Sequence, residues 1–237
     1  MKTLKVIAAA AILFTLFNSC TKVIGEGPIV SETRIVRDFS EIDFGVPGEL
    51  IYVNSNENEI EIEAQRNIID VIETYVSGGE LKVRVRDGKN IRSSEEIRVI
   101  VRSANINSLA VSGSGTLTTD DVFDPSDATL RVSGSGKIRI SHIASDNLDA
   151  RISGSGSIHV QNGTADTEIV NISGSGEVNL LPVEARRAST QTSGSGNIRL
   201  RVTDELDVRI SGSGDVYYEG NPVVDVKVSG SGRVVQL

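Results

Sequence analysis

Val132-Ser133-Gly134-Ser135-Gly136-Lys137-Ile138 is one copy of a pattern that recurs through the second half of this 237-residue chain. Its centre, Ser-Gly-Ser-Gly, begins at Ser112, Ser133, Ser153, Ser173, Ser193, Ser211 and Ser229. Successive copies are separated by 21, 20, 20, 20, 18 and 18 residues. A repeat at nearly constant spacing is typical of a solenoid, in which each repeat is a structural unit stacked on the next.

Apolar and polar residues alternate on both sides of each copy, as at Val132 and at Ile138 to Ile140. This alternation predicts strands with one buried face, and the glycines, which reach positive φ easily, predict a corner between them. One coil buries too few aliphatic side chains to offset the entropy lost in ordering it, so the coils must share a core. We therefore predict an all-β parallel β-helix (β-solenoid) with about 18–21 residues per coil.

The first 20 residues differ from the rest. Lys2 and Lys5 precede an apolar run, residues 6–17, which is too short to span a bilayer and is typical of a secretory signal. The run ends in Leu16-Phe17-Asn18-Ser19-Cys20, which resembles a bacterial lipobox. Cys20 is the only cysteine, so we expect it to be lipidated and to anchor the protein to a membrane. This predicts an outer-membrane lipoprotein of the cell envelope, on the periplasmic side or at the cell surface; the alternatives are secretion and an uncleaved signal.

The remaining chain divides by its pattern. Residues 21–27 are predicted to be a tether. Residues 28–105 lack Ser-Gly-Ser-Gly but keep strand alternation, which predicts irregular N-terminal β coils and a cap. Residues 106–237 are predicted to form the regular β-helix, with 28–237 as one continuous domain.

Three further expectations concern local structure. Residues 67–75 are compatible with one helical turn followed by a strand. Two longer connections, residues 118–129 and 181–190, are expected to bulge from one side. No polar cap follows the last copy at 229–237, which predicts an open C-terminal β edge and a homo-oligomer formed through it.

A column of outward side chains is the main candidate binding surface. It collects the third residue after the last glycine of each copy: Thr118, Arg139, His159, Asn179, Arg199, Tyr217 and Val235. Exposed polar side chains on a rigid scaffold could bind a glycan or a protein, and the alternative is a solvated sheet face. The predicted binding residues are Arg139, His159, Asn179, Arg199 and Tyr217.

The acidic connection after the first copy is a weaker candidate, for calcium. Its carboxylates are Asp120, Asp121, Asp124 and Asp127. Oxygen ligands of this kind suit Ca²⁺, although clustered aspartates are also common in solvated loops. The two histidines, His142 and His159, have no companion ligands nearby, so no zinc site is predicted.

Other classes of function find little support. The net charge is −8 and no basic face is evident, so we expect no nucleic-acid binding. No Ser-His-Asp pattern occurs and we expect no carboxylates to line up on consecutive coils, so no catalytic residue and no cofactor are predicted. The chain is therefore predicted to be a binding module, with a structural or self-assembling envelope protein and a β-helical carbohydrate-active enzyme as alternatives.

Three sequence features together carry a family resemblance. They are Arg-x-Val-x-x-Phe-x-x-Ile at Arg34 to Ile42, Gly-x-Leu-x-Val at Gly79 to Val83, and the repeated Val-Ser-Gly-Ser-Gly-x-Ile. The chain resembles the putative auto-transporter adhesin, head GIN domain family of bacterial lipoproteins over residues 34–235. The resemblance implies a right-handed parallel β-helix and a role in adhesion, and it supplies no active-site residues.

Overall fold

Each strand beside a Ser-Gly-Ser-Gly pairs in parallel with its counterparts in the neighbouring coils. The computed structural model describes residues 21–92 and 95–237, so the predicted signal segment and Cys20 lie outside the described residues. The described chain is nearly all β and forms a solenoid of about six turns. The predicted all-β, parallel solenoid is confirmed.

The elements begin with a varied N-terminal part. They are β1 (Thr21–Ile24), β2 (Ile29–Ile35), β3 (Glu41–Gly45), β4 (Glu49–Asn54), β5 (Glu59–Gln65), α1 (Arg66–Ile69), β6 (Ile72–Ser77), β7 (Glu80–Val85), β8 (Lys89–Arg92) and β9 (Arg98–Ser103). The repeated part follows with β10 (Ser108–Gly113), β11 (Thr116–Phe123), β12 (Asp127–Gly134), β13 (Lys137–Gly154), β14 (Ser157–Val160), β15 (Gly163–Gly174), β16 (Glu177–Gly194), β17 (Asn197–Gly212), β18 (Val216–Glu219), β19 (Val223–Gly230) and β20 (Val234–Gln236).

The coils repeat at the spacing of the sequence pattern. The first glycines of the seven copies pair in register from coil to coil: Gly113, Gly134, Gly154, Gly174, Gly194, Gly212 and Gly230. Backbone hydrogen bonds continue around the corners, since the amide of Ser155 donates to the Gly134 carbonyl and that of Ser157 to the Gly136 carbonyl, at 2.9 and 3.0 Å. Ser-Gly-Ser-Gly is therefore the corner that the sequence predicted.

The two glycines of a copy are required for different reasons. The first, exemplified by Gly134, has φ of +110°, and a Cβ there would lie 2.7 Å from the Gly113 carbonyl oxygen. The second glycine of a copy does not have a positive φ. It packs against a side chain of the preceding coil, the β-branched residue that comes just before Ser-Gly-Ser-Gly in that coil. A Cβ on Gly176 would lie 2.6 Å from Cγ2 of Ile152.

The core is a continuous stack of aliphatic side chains. Inward columns, such as Leu117, Ile138, Ile158, Val178 and Ile198, are fully buried. The aromatic residues are concentrated near the N-terminal end, where Tyr52 meets Phe123 edge-on with ring centroids 6.4 Å apart. After Phe123 the buried hydrophobic side chains are all aliphatic within the described residues, which matches the low aromatic content of 4%.

The N-terminal coils do not stack in sequence order. Strands β3 and β4 lie between β10 and β11 on one side and β7 and β9 on the other, all in parallel. Antiparallel strands then cover the outermost coil, because β6 pairs with β7, β5 with β9, and β2 with β5. This end of the solenoid is thus capped by strands of reversed direction. The helical turn expected within 67–75 is α1, and β6 follows it.

Residues 21–27, expected to be a tether, contain β1, which pairs in parallel with β8. Asn67 holds this segment through its side chain: Nδ2 donates to the Ile24 carbonyl at 2.6 Å, and Oδ1 accepts from the Glu26 amide at 3.1 Å. The segment is therefore attached to the N-terminal cap.

The two longer connections behave differently. The first contains a β-bulge, since the register of β11 with β13 shifts between Thr119 and Val122. The second is not a bulging loop, because residues 181–190 lie within the continuous strand β16. The irregularity there arises from the next coil, which is two residues shorter and shifts register between Leu180 and Glu184 and again between Ala185 and Arg187.

At the opposite end of the solenoid the last coil is formed by β19 and β20. Strand β19 pairs with β17 and strand β20 with β18, and no further strand covers their outer edges within the described residues. Among those residues, no helix has the length and apolar character needed to cross a bilayer.

Candidate functional site

The predicted polar column exists as a continuous row. Its members occupy paired positions on successive strands: Thr118, Arg139, His159, Asn179, Arg199, Tyr217 and Val235. Neighbouring members are therefore about 4.8 Å apart, the distance between adjacent strands. The structure thus brings together all five predicted binding residues.

Several side chains of this column already contact one another or neighbouring residues. The Arg199 guanidinium lies 5.4 Å from the centroid of the Tyr217 ring and donates to Oε1 of Glu177 at 2.7 Å. The Tyr217 hydroxyl donates to Oδ2 of Asp215 at 3.1 Å. Asn179 accepts the Leu181 amide at 3.2 Å. The side chains of Arg139 and His159 form no hydrogen bond or ion pair with another described residue.

A groove lies on the other side of the corners, where each strand approaches its Ser-Gly-Ser-Gly. Two cavities of about 510 and 690 Å³ share Gln191 and Ser193, so they form one groove across the coils. We call it the serine groove. One wall is the column Arg131, Arg151, Asn171, Gln191, Arg209 and Lys227, and the other is the column Ser133, Ser153, Ser173, Ser193, Ser211 and Ser229.

The serine groove combines three kinds of surface. Four of the six side chains on its first wall are cationic and the other two are amides, and no carboxylate belongs to that wall. The six serine hydroxyls make no side-chain hydrogen bond within the described part of the chain. Buried β-branched residues such as Ile152 and Ile172 form the floor between the walls.

Two of the four cations are paired with a neighbour on the same strand. Arg151 donates to Asp149 at 2.8 Å, and the carboxylate raises the pKa of the Arg151 guanidinium. Arg209 lies 2.7 Å from Asp207. Arg131 and Lys227 have no ion-pair partner among the described residues. Unneutralised positive charge therefore remains at both ends of the groove.

A third surface corrects an expectation. A cavity of about 560 Å³ is lined by Asp124, Asp146, Asp166 and Glu184, which come from four consecutive coils. The four do not form one column, because Glu184 pairs with Thr164 and not with Asp166. Only Asp146 and Asp166 stand at equivalent positions of adjacent coils, and this pair contradicts the prediction that carboxylates do not line up on consecutive coils. We call this cavity the acidic groove. Arg186, the one cation among the described residues that line it, lies 3.3 Å from Asp204 of the next coil.

The candidate calcium ligands are spread along a bulged strand and its loop. Asp120 and Asp121 lie at the bulge of β11, Asp124 follows that strand, and Asp127 begins β12. All four are exposed, and Asp127 accepts a hydrogen bond from Nδ2 of Asn147 at 2.7 Å. Within residues 21–92 and 95–237, no three His, Cys, Asp or Glu side chains form a group that could hold a metal ion.

One carboxyl group lies inside the described part of the solenoid. Glu168 is fully buried, and neither oxygen of its carboxyl has a hydrogen-bond partner in the described structure. It occupies an inward column between Leu148 and Ala188, and burial raises the pKa of the carboxyl well above its ordinary value. Glu168, Leu148 and Ala188 each lie five residues before a Ser-Gly-Ser-Gly. The sequence therefore contained a signal that Glu168 points inward.

The comparisons with known proteins agree with this architecture. The model of the family described as "putative auto-transporter adhesin, head GIN domain" matches residues 38–222, most of the chain. The chain belongs to this family. The family resemblance noted from the sequence motifs is thereby confirmed. No curated protein matches the sequence significantly.

Several solved structures share the fold. A putative adhesin from Bacteroides fragilis has a TM-score of 0.84 at 21% identity, covering 91% of this chain and all of that one. A protein from Parabacteroides distasonis, titled a putative lipid binding protein, has a TM-score of 0.76 at 24% identity, and a putative adhesin from the same species has 0.74 at 20%; each covers 92% of this chain and all of its own. Identities this low show the common fold alone. The names given to the family and to these neighbours are those of adhesins or a lipid binding protein, not of enzymes, and an adhesin family fits an envelope- or surface-associated protein.

Proposed function

We propose that this protein is an adhesion module that binds an extended acidic glycan along the serine groove. The observation that carries the proposal is the groove itself, which gathers cations, amides and free hydroxyls from six successive coils. Membership in an adhesin family supports it. The predicted column around Arg199 supports it less, because Arg199 and Tyr217 already contact one another.

The shape and chemistry of the groove favour a linear polymer. Five inter-coil steps of about 4.8 Å give the walls a length of about 24 Å. Amide and guanidinium donors suit carboxylate and hydroxyl oxygens, and Arg binds carboxylates with paired hydrogen bonds. The apolar floor suits the apolar face of a sugar ring. Since the first wall carries cations and no carboxylate, the ligand that fits is a glycan bearing carboxylate or sulfate groups.

Binding measurements with matched variants test this proposal. Arg131 and Arg139 are both exposed, lack ion-pair partners in the described structure and flank the same corner, but only Arg131 belongs to the groove. We expect Arg131→Ala, and more strongly Arg131→Ala with Asn171→Ala, to weaken binding of a uronic-acid or sulfated oligosaccharide by about tenfold or more. Arg139→Ala should bind as the unaltered protein does.

Three results would contradict the proposal: no acidic glycan binds, Arg139→Ala weakens binding as much as Arg131→Ala, or neutral and acidic oligosaccharides bind equally.

Product analysis by mass spectrometry belongs in the same experiment. Shortening of the glycan would instead favour a carbohydrate-active enzyme, with the acidic groove as the place to substitute first. Binding of lipid vesicles in place of glycans would favour a lipid-binding function, as named for one of the Parabacteroides distasonis proteins.

We also propose that Cys20 carries a lipid that anchors the protein in the outer membrane. The apolar segment 6–17 and the lipobox-like residues before Cys20 support this. Metabolic labelling with an alkynyl fatty acid should label the protein, and Cys20→Ser should abolish the label and release the protein from membranes. A Cys20→Ser variant that stays in the membrane fraction would contradict the anchor.

A further inference from the structure

The uncovered end of the solenoid exposes side chains that the inner coils bury. Val226 and Val228 of β19 continue the inward columns of Val208 and Ile210. In the inner coil these positions are 0% and 2% exposed, whereas Val226 and Val228 are 43% and 42% exposed. The core therefore reaches the surface at β19, together with an unpaired row of backbone donors and acceptors, the features by which an edge strand recruits another strand.

The sequence of β19 indicates which strand fits. It reads Val223-Val-Asp-Val-Lys-Val-Ser-Gly230. An antiparallel copy centred on Val226 places Val224 opposite Val228 and Asp225 opposite Lys227, twice by symmetry. A cross-strand pair of opposite charges stabilises a sheet, and a pair of like charges destabilises it. Strand β19 is thus complementary to itself when reversed.

A parallel copy is a poorer partner. In the chain itself Asp225 pairs in register with Asp207, and Lys227 with Arg209. Another parallel strand in the same register would add a third like charge to each row. The antiparallel copy supplies the opposite charge to both rows.

The other end of the solenoid does not offer β19 an open parallel coil for a head-to-tail contact, although β2 and β6 each have one unpaired edge there within the described residues. Antiparallel strands β5 and β6 already occupy the edges of β9 and β7. A contact between unlike ends would generate a filament, whereas a contact between two like ends is isologous and closes at two subunits.

We propose that two copies of this protein associate through β19 in antiparallel register, forming a closed two-fold dimer with a continuous core. The Asp225 and Lys227 pairs set the register, and Val224, Val226 and Val228 supply the buried contact. This proposal rests on the pairing and exposure of β19 and needs no glycan, but it shares Lys227 with the serine groove. Asp225→Lys, whose native residue lies outside that groove, therefore tests the dimer separately from glycan binding.

Sedimentation of purified protein over a range of concentrations tests the proposal with charge variants. We expect a dimer that is weakened about tenfold or more by Asp225→Lys or by Lys227→Asp, since each puts like charges opposite one another. The double variant Asp225→Lys with Lys227→Asp restores complementarity and should dimerise again. Mixing the two single variants should yield a heterodimer, because each supplies the charges that the other requires.

Thermal unfolding controls for folding, since both side chains lie at an exposed edge and neither single substitution should disturb the inner coils. A protein that remains monomeric at about 100 μM, a dimer unaffected by both single variants, a double variant as weak as the single ones, or assembly beyond two subunits would each overturn the proposal.

Discussion

Gly154 stacks directly on Gly134, and a Cβ on Gly154 would lie 2.5 Å from the carbonyl oxygen of Gly134. The φ of Gly154 is +122°, which side chains of L-residues rarely allow. The same relationship recurs along the column, so the corners stack because no side chain separates their backbones. The column of first glycines is therefore as much a part of the packing as the aliphatic core.

Gly154→Ala should destabilise the protein by about 1–3 kcal/mol from backbone strain, with a further cost for the contact with Gly134. Chemical denaturation measures this change. Ser155→Ala, one residue away and exposed, removes a hydroxyl that has no partner in the described chain, and it should change stability by less than about 0.5 kcal/mol. Equal effects of the two substitutions would contradict the role of the glycine column.

Glu168 should make the protein less stable as pH rises. Its pKa is raised in the folded state, so the folded protein holds this proton at pH values where the unfolded chain has released it. Stability is greatest below the ordinary pKa of 4.5 and falls until the pH passes the folded value. Glu168→Gln should remove this pH dependence, whereas exposed Glu184→Gln should retain it.

Replacing Glu168 by an apolar residue of similar size should stabilise the solenoid. Glu168→Leu removes a buried polar group without a partner, whose burial costs about 1–3 kcal/mol. The measurement is the denaturation midpoint at pH 7. A destabilised Glu168→Leu protein would show that the carboxyl makes a favourable interaction in the core.

Asp215 should have the opposite pH dependence and should act only on the last coils. Hydrogen bonds from Arg233 and Tyr217 lower the pKa of its carboxyl, against the opposing effect of partial burial. The stabilisation is present above the ordinary pKa of 3.8 and is lost as the pH falls through the lowered value. Because the Arg233 amide donates to Asp215 at 3.0 Å, Asp215→Asn should speed hydrogen exchange of that amide at neutral pH. Asp166→Asn, in the acidic groove, should leave it unchanged.

Binding of an acidic glycan in the serine groove should weaken with salt. Exposed charges interact through a solvent that screens them beyond about 10 Å at 0.1 M salt and about 3 Å at 1 M. Titrations at the two concentrations should show a clear loss of affinity, and Arg131→Ala should reduce the salt dependence. Salt-independent binding would indicate that the cations of the groove do not take part.

The repeated half could be predicted because every coil has the same relation between the sequence and the structure. Distance from the nearest Ser-Gly-Ser-Gly determines whether a residue points inward or outward, so the row from Arg139 to Tyr217 follows from counting alone. The same count indicates that Glu168 points inward, beside Leu148 and Ala188. Its significance was missed because a single glutamate among apolar neighbours leaves the alternation unchanged.

The N-terminal half could not be predicted to the same depth. The placement of β3 between β10 and β7, and of β4 between β11 and β9, depends on strand pairing across long sequence separations, which no local pattern encodes. The acidic groove was missed for another reason. Its carboxylates lie far from the corners and belong to different columns, since the bulge of β11 shifts Asp124 and the register pairs Glu184 with Thr164 and not with Asp166.

The constant 20-residue step between Lys137 and Leu180 makes the length of the solenoid adjustable. Residues 157–176 meet the coil below and the coil above in the same register, so a duplicate of this segment would find matching neighbours on both sides. Each added unit would extend the molecule by about 4.8 Å and lengthen both grooves by one coil. Beyond Leu180 the step changes to 18 residues, and a 20-residue insert there would no longer match its neighbours.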